Sequence, residues 1–278
     1  METKARVLID CNDAKGLVYK ISKVFFEKDL NIDSNREFVD KESGRFFMRS
    51  VVTGIFEPDE LLNELKAITP EDADIKVIVP KPKKIILMAT KESHALGDIL
   101  IRHADGELDA EIECVIGNHN TLEELVRRFD IPFFCIAADG MNREEHEEKV
   151  MELINKFEFD FIVLAKYMRI LTPKFVNAYE EKIINIHHSF LPAFIGANPY
   201  KQAHERGVKI IGATAHFVTD DLDEGPIIAQ DVIPVNHRMG WREMQRAGRD
   251  VEKVVLSRAL SYVLNDRVFV HGNKTIVF

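Results

Sequence analysis

The sequence feature that most constrains the fold is a change of pattern at residues 80–84, where PKPKK separates two differently organised segments. Prolines and lysines at this density are typical of a stiff, solvated linker. Before the linker, strand and helix signals follow the order βαββαβ, and after it apolar strands alternate with helices. The chain has 278 residues, which suits one or two domains of roughly 100–200 residues each. We therefore predict two domains, residues 1–80 and 84–278.

The N-terminal segment has the pattern of a small α+β sandwich. It opens with a predicted strand at 5–11 and a turn at 12–16. Apolar residues at helical spacing follow from Leu17 to Phe25. Strands at 32–39, 45–53 and 75–79 and a helix at 58–67 complete the order, with Pro58 suited to a first helical turn. This order predicts a fold of ferredoxin type.

The second segment begins with a continuous apolar run, KIILMA at 84–89, as expected of a strand buried on both faces of a parallel sheet. Further strands are predicted at 112–116, 132–136 and 159–165, and helices at 93–102, 121–129 and 143–157, with Thr121 as an N-cap. Repeated βα units predict a mostly parallel sheet covered by helices. Ligands in such sheets bind beyond the carboxyl ends of the strands.

Composition excludes several classes of protein. The net charge of −9 disfavours binding to a phosphate backbone, so we expect no nucleic-acid partner. The scattered Cys11, Cys114 and Cys135 argue against disulfides and thiolate zinc sites, and each is predicted to be buried. The sequence METKARVLID lacks the apolar core of a signal peptide, and no apolar run reaches the ~20 residues of a membrane span. We expect a cytoplasmic protein with no membrane partner.

Asn185 and His187 are the first candidates for chemistry. They lie two apart at the end of a predicted strand (IINIHH, 183–188), so they should point to the same face. An amide donor and an imidazole on one face can bind an oxyanion, although such a pair more often bonds only to neighbouring backbone. His188 should point the other way and is predicted to be a packing residue.

Two further stretches carry charge in a suggestive context. Asp220, Asp221, Asp223 and Glu224 lie between two predicted strands. They indicate a solvated hairpin, a cation site or a single carboxylate acting as acid or base. The apolar stretch LAKYMRIL (164–171) contains Arg169, and a cation there needs a carboxylate or phosphate partner.

These motifs together resemble the formyltransferase family that uses 10-formyltetrahydrofolate. The resemblance rests on Asn185-Ile186-His187, the run Ser189 to Pro192 and the stretch HFVTDDLDEGP (216–226), and it covers nearly all of residues 83–278. It implies that Asn185, His187 and Asp223 are catalytic, that Arg143 lies near the glutamate tail, and that folate is the substrate, with no metal or other cofactor required. It also implies that four consecutive residues bind the folate: Met168, Arg169, Ile170 and Leu171.

Within the family the sequence is most similar to the deformylase branch, which hydrolyses 10-formyltetrahydrofolate to formate and tetrahydrofolate for purine synthesis and one-carbon balance. In the alternative, glycinamide ribonucleotide formyltransferase, a glycine-rich loop binds the substrate phosphate. Here the corresponding stretch, residues 90–97, lacks close glycines and carries Glu92. Residues 188–190 and 194–200 also resemble the deformylases.

The implied mechanism is attack of water on the formyl carbon, with Asn185 and protonated His187 stabilising the oxyanion. Asp223 would accept or position the proton of the water, and we expect partial burial to raise its pKa from the ordinary value near 4. Two alternatives remain besides the transferase. One is a regulatory protein whose catalytic domain is no longer active, and the other is a metal-dependent hydrolase that uses His187, His188 and the aspartates.

The first segment resembles an ACT domain, a βαββαβ module that often binds amino acids. The resemblance implies an amino-acid effector and a homo-oligomer as partners. The loop at 12–16 reads NDAKG, which keeps the glycine of the family loop but neither of its prolines.

Overall fold

The computed structural model describes residues 2–193 and 198–278. These residues form two compact units. The first comprises Met1–Lys81 together with Asp266–Phe269 and Ile276–Phe278, and the second comprises Pro82–Asn265 together with Val270–Thr275. Part of the motif at 194–200 lies outside the described residues.

The first unit contains the predicted βαββαβ order. Its elements are β1 (Thr3–Asn12), α1 (Leu17–Glu27), β2 (Asn31–Asp40), β3 (Arg45–Gly54), α2 (Pro58–Ile68) and β4 (Asp74–Ile78). The strands form an antiparallel sheet in the order β2-β3-β1-β4. Pro58 lies in the first turn of α2, where its missing N–H costs no helical bond. Buried residues of both helices, among them Phe25 and Leu61, pack with alternate residues of the strands.

The C-terminus completes the other face of this sheet. Leu8 and Phe47 are buried with Phe269 and Phe278, and Phe269 makes edge-to-face contacts with Phe47 and Phe278 at centroid distances of 5.7 Å. The predicted extent of the second domain, 84–278, therefore differs from the compact units. The reason is that strand alternation gives the sheet a second apolar face, which only a distant part of the chain covers.

The second unit contains a seven-stranded sheet in the order β11-β10-β9-β8-β5-β6-β7. Its strands are β5 (Lys83–Ala89), β6 (Ala110–Gly117), β7 (Phe133–Cys135), β8 (Phe161–Leu164), β9 (Ile183–His187), β10 (Ile210–Phe217) and β11 (Ile227–Pro234). Strands β5 to β9 pair in parallel, whereas β10 and β11 are antiparallel additions at one edge. The prediction of a mostly parallel open sheet is confirmed.

The helices of this unit are α3 (His94–Ala104), α4 (Glu123–Arg127), α5 (Arg143–Ile154), α6 (Pro173–Ala178), α7 (Pro199–Arg206) and α8 (Trp241–Leu264). A C-terminal hairpin of β12 (Val268–His271) and β13 (Lys274–Val277) follows. Within the described ranges, none of the helices is both long and apolar enough to cross a membrane.

Two local predictions were wrong. Thr121 lies inside a 3-10 turn (Asn120–Leu122), and α4 starts after it with Leu122 as an N-cap that makes no side-chain bond. Cys11 and Cys114 are buried, but Cys135 is exposed. Cys135 belongs to β7, a three-residue strand at the edge of the sheet, so it lacks the second neighbour that buries the central strands.

The topology brings the loops after β5 and β8 together. The chain winds from β5 to β6 on one side and returns to β8 on the other side, and ligands bind at such switch points. Thr90 joins the two loops, because its backbone N–H donates to the Lys166 carbonyl at 3.2 Å and its hydroxyl accepts from the Met168 N–H at 2.9 Å. This edge of the sheet carries the candidate site.

Candidate active site

A cavity of about 290 Å³ opens at the carboxyl ends of β8 and β9. It is bounded by the segment after β8, the end of β9, and the acidic loop that follows β10. Its lining includes seven residues that the sequence singled out: Met168, Arg169, Ile170, Leu171, Asn185, His187 and Asp223. The three motifs, which are spread over residues 168–223 of the sequence, thus meet around one space.

Asn185 and His187 both line the cavity, as their spacing on a strand predicts. Asn185 pairs across the sheet with His216 of β10, whose Nε2 lies 3.2 Å from the Asn185 Nδ2. The other ring nitrogen, Nδ1, lies 2.9 Å from the Phe217 carbonyl oxygen. Because a carbonyl only accepts, Nδ1 carries the proton and Nε2 accepts from the Asn185 amide. His216 therefore fixes the orientation of the Asn185 side chain.

Burial favours the neutral form that this arrangement requires. His216 is only 1% exposed, and burial lowers the pKa of its imidazole below the ordinary value. A neutral ring can hold Asn185 as an acceptor at physiological pH, whereas a protonated ring could not.

His187 and Asp223 form the second part of the site. The His187 Nδ1 lies 3.2 Å from the Asp223 Oδ1, with the two side chains 7% and 11% exposed. Nδ1 therefore donates to the carboxylate, and the His187 Nε2 has no hydrogen-bond partner among the described residues. A buried polar atom without a partner is costly in a folded protein and is often explained by a ligand or water.

The backbone of the acidic loop turns Asp223 inward. Asp223 has a φ of 58°, a left-handed conformation that aspartate and asparagine tolerate better than most residues. Two residues later the chain passes so close to β10 that a Cβ on Gly225 would lie 1.8 Å from the Phe217 carbonyl oxygen, which only glycine allows. Asp220, Asp221 and Glu224 remain exposed, and Asp220 lies at the rim of the cavity. Asp223 is the one of the four carboxylates that is largely buried.

The pKa of Asp223 shifts in the direction opposite to our expectation. Burial raises the pKa of the carboxyl, but the hydrogen bond from His187 and the charges of His187, His216 and His188 outweigh burial and hold the pKa below its ordinary value. Asp223 is therefore an ionised hydrogen-bond acceptor and a counter-charge for His187.

The segment Met168–Leu171 presents apolar side chains at the mouth of the cavity. Met168 and Ile170 are 55% and 49% exposed, and two large apolar side chains close together at the rim of a cavity suit contact with an apolar ligand. Both ends of the segment are anchored. Thr90 accepts from the Met168 N–H at 2.9 Å, and the buried Glu147 carboxylate accepts from the Thr172 N–H at 3.0 Å and from the Thr172 hydroxyl.

Two arginines predicted to contact folate differ in their positions. Arg169 lines the cavity and is half-buried, and no carboxylate of the described chain forms an ion pair with it. Arg143 is exposed at the first position of α5 and is not among the residues that line the cavity. The site therefore brings together all the predicted residues except Arg143.

His188 also lines the cavity, contrary to the prediction that it points away. Strand β9 ends at His187, so the alternation of side chains no longer applies one residue later. The rings of His187 and His188 lie 5.2 Å apart, tilted by 33°.

Beside the cavity lies a buried ionic cluster that the sequence did not reveal. The Glu252 carboxylate is 1% exposed and lies 2.8 Å from the His94 Nε2, 3.3 Å from the Lys166 Nζ and 2.6 Å from the Tyr200 hydroxyl. Burial opposes the charged form, but the His94 bond, the Lys166 charge and the Tyr200 bond lower the pKa of Glu252 to about 2.

A signal for Glu252 was present in the sequence. In α8 it shares the buried face with Val255, Leu256 and Ala259, so an acid interrupts an apolar stripe, and such an acid requires a partner. No comparable signal marks His216, because only the pairing of β9 with β10 places it opposite Asn185. Within the described ranges, no group of three His, Cys, Asp or Glu residues has the arrangement of a metal site.

Two family models match the chain. Residues 83–260 match the formyl transferase model and residues 5–69 match the ACT domain model. The sequence is 55% identical over 267 residues to the formyltetrahydrofolate deformylase of Escherichia coli strain K12, covering 96% of this chain and 95% of that protein.

Solved structures give the same assignment. A formyltetrahydrofolate deformylase from Pseudomonas syringae matches with a TM-score of 0.95 and 44% identity, covering 100% of this chain and 95% of that one. Glycinamide ribonucleotide transformylase 1 from Symbiobacterium toebii matches with a TM-score of 0.68 and 28% identity over 71% of this chain and 94% of that one. The match to the deformylases thus includes the ACT domain, and the chain belongs to the formyltetrahydrofolate deformylase family, with an ACT domain followed by a formyl transferase domain.

Proposed function

We propose that the protein hydrolyses 10-formyltetrahydrofolate to formate and tetrahydrofolate, which supplies formate for purine synthesis and balances the one-carbon pool. The single observation that carries the proposal is the meeting of Asn185, His187 and Asp223 around one cavity, beside the exposed apolar segment Met168–Leu171. Membership of the deformylase family supports the same reaction. We also propose that the protein acts in the cytoplasm.

In the proposed mechanism the formyl carbon lies between Asn185 and His187. The Asn185 amide, oriented by His216, donates to the developing oxyanion. Protonated His187 donates through Nε2, the atom that has no partner among the described residues, while its Nδ1 donates to Asp223. Each such donor is typically worth ~3–4 kcal/mol in the transition state. His187 then passes a proton to N10 as the C–N bond breaks.

The folate itself is proposed to bind across Met168–Leu171. Backbone N–H and C=O groups of this anchored segment can form hydrogen bonds with the edge of the pterin, and the side chains of Met168 and Ile170 can pack on its face. Arg169, which forms no ion pair among the described residues, can pair with a carboxylate of the ligand. Arg143 is proposed to contact the glutamate tail, where an exposed position suits a flexible chain.

The ACT unit is proposed to bind an amino-acid effector at the loop between β1 and α1. Gly16 adopts a φ of 85° there and precedes a helix whose first turn has no side-chain cap. The same unit exposes Tyr19 (71%) and Phe26 (82%) on α1, which supports the proposal of a homo-oligomer. Light scattering of the purified protein gives the oligomeric state.

Replacing His187 by alanine should lower kcat by about 10²–10³, the typical effect of losing one oxyanion donor. KM for the folate should change much less, because the interaction is made mainly in the transition state. Steady-state formate release measures both constants. His237→Ala, at an exposed position away from the cavity, is the matched control. An effect on KM alone would assign His187 to substrate binding.

Incubation with 10-formyltetrahydrofolate should release formate equal to all the formyl group lost, with or without millimolar glycinamide ribonucleotide. In place of a bare glycine loop, the segment after β5 carries Glu92, which lies 3.3 Å from the Arg249 Nε and 3.5 Å from the His94 Nδ1. Like-charge repulsion and lost backbone contacts can together weaken phosphate binding about a thousandfold or more.

Chromatography of the products tests this selectivity. If formylated ribonucleotide forms at a rate comparable to formate release, the protein is a transferase and the proposed deformylase activity is wrong. If neither formate nor formylated ribonucleotide forms, the proposed function is contradicted altogether.

A further inference from the structure

His188 is a titratable residue of the cavity that the mechanism above does not use. It follows the last residue of β9 and lines the same space as Asn185, His187 and Asp223. Its ring lies 5.2 Å from that of His187 and 6.1 Å from that of Tyr200. A half-buried imidazole at the proposed reaction centre could take part in the reaction.

Hydrogen bonds fix the chain on which His188 sits. The buried Thr214 hydroxyl donates to the Ser189 carbonyl at 2.9 Å and accepts from the Leu191 N–H at 3.0 Å. The Gln230 amide donates to the Leu191 carbonyl at 3.0 Å and to the Thr214 hydroxyl at 2.9 Å. These bonds tie the residues after His188 to β10 and β11, so the imidazole is held at the cavity by a rigid backbone.

The surroundings of His188 favour an uncharged ring. Burial and the nearby Lys166 ammonium lower the pKa of His188 to about 4, and the opposing charge of Glu252 is smaller in effect. Lys166 is itself 4% exposed and paired with Glu252 at 3.3 Å. A neutral imidazole has one nitrogen with a free lone pair, so at neutral pH His188 can accept a hydrogen bond.

The other groups at the reacting centre are already engaged. The His187 Nδ1 faces Asp223 at 3.2 Å, and the His216 Nδ1 faces the Phe217 carbonyl at 2.9 Å. Asp223 is ionised, with a lowered pKa. Neither ring nitrogen of His188 has a hydrogen-bond partner among residues 2–193 and 198–278. His188 is thus a neutral acceptor available to a water molecule in the cavity.

We propose that His188 is a further catalytic residue, which accepts a hydrogen bond from the attacking water, orients it and relays its proton to solvent as the water oxygen bonds to the formyl carbon. The inference rests on the proposed hydrolysis. The tetrahedral anion then collapses, the C–N10 bond breaks, and N10 receives a proton. Formic acid leaves and ionises, so the products are formate and tetrahydrofolate.

The test uses two nucleophiles that differ in their need for a base. Water must lose a proton as it attacks, whereas hydroxylamine attacks through a neutral nitrogen and gives formohydroxamate. His188→Asn should lower formate release by ~100-fold or more with little change in KM. In a reaction containing both nucleophiles, the ratio of formate to formohydroxamate should fall well below that of the wild type.

Asp223→Asn, which disturbs His187, should instead slow both reactions together and leave the ratio unchanged. His204→Asn, at an exposed position of α7, is the control that should alter neither product. His188→Ala provides a second variant, and circular dichroism establishes that each protein is folded.

A His188→Asn protein with near wild-type formate release, or with a product ratio no lower than that of the wild type, would overturn the proposal. An equal loss of both products would show that His188 only supports the site structurally. A wild-type protein that releases no formate would instead refute the proposed hydrolysis. Failure of the role proposed for His188 can therefore be distinguished from failure of the proposed function.

Discussion

Replacing Asp223 by asparagine is expected to lower kcat by about 10²–10⁴, the range for loss of an acid–base group, because His187 is proposed to act as the acid and depends on this carboxylate. KM for the folate should stay close to that of the wild type. The carboxylate lies 3.2 Å from the His187 Nδ1 and 3.8 Å from the His216 Nε2. In the proposed mechanism its negative charge stabilises protonated His187, which donates to the oxyanion. The neutral amide keeps the size of the side chain but loses that charge.

The substitution is suited to the backbone at this position. Asp223 has a φ of 58°, which asparagine also tolerates, whereas alanine would add strain. Asp221→Asn is the matched control, because Asp221 lies in the same loop but is exposed and does not line the cavity. Formate release under saturating folate measures kcat for both variants. If Asp223→Asn turns over as fast as Asp221→Asn, the proposed role of the carboxylate is wrong.

Replacing Glu252 by glutamine is expected to destabilise the second unit by about 3–5 kcal/mol at neutral pH, as removal of one partner from a buried ion pair does. The change leaves Lys166 buried without its counter-charge. The single tryptophan, Trp241, lies at the start of the same helix α8. Its fluorescence during urea unfolding therefore reports on this unit.

The same carboxylate makes stability depend on pH. Its pKa falls from 4.5 to about 2 on folding, so the stabilisation is present above pH 4.5 and is lost as the pH falls toward 2. The whole shift corresponds to about 3 kcal/mol. The stability difference between wild type and Glu252→Gln should therefore narrow as the pH is lowered from 5 towards 3.

A surface pair provides the comparison. Glu148 pairs with Lys174 at 2.8 Å, but both side chains are more than half exposed, so Glu148→Gln should lower the free energy of unfolding far less than Glu252→Gln does. If Glu252→Gln and Glu148→Gln are equally stable, or if the stability difference of Glu252→Gln does not depend on pH, the buried cluster does not stabilise the fold.

The order of the helices and strands was predictable because local sequence patterns determine it. The apolar run at 84–89 and the PKPKK linker indicated a parallel sheet after a smaller N-terminal domain. The structure contains a four-stranded sheet followed by a seven-stranded, mostly parallel sheet. Asn185 and His187 were predicted to share a face, and they line one cavity, since a strand alternates its side chains over any two residues. The likeness to formyltransferase motifs then added Asp223 and the segment 168–171.

The remaining features depend on contacts between distant parts of the chain. His216 acts on Asn185 only because β9 and β10 pair in one register, and His188 turns to the cavity because its strand has ended. The downward pKa shift of Asp223 arises from three histidines that only the fold brings near it. Phe269 and Phe278 cover a sheet more than two hundred residues earlier in the chain. Sequence periodicity indicates which face of a strand or helix a residue occupies. The pKa of a side chain, the register of paired strands and long-range packing depend on which residues lie opposite that face. Only the tertiary structure decides which residues those are.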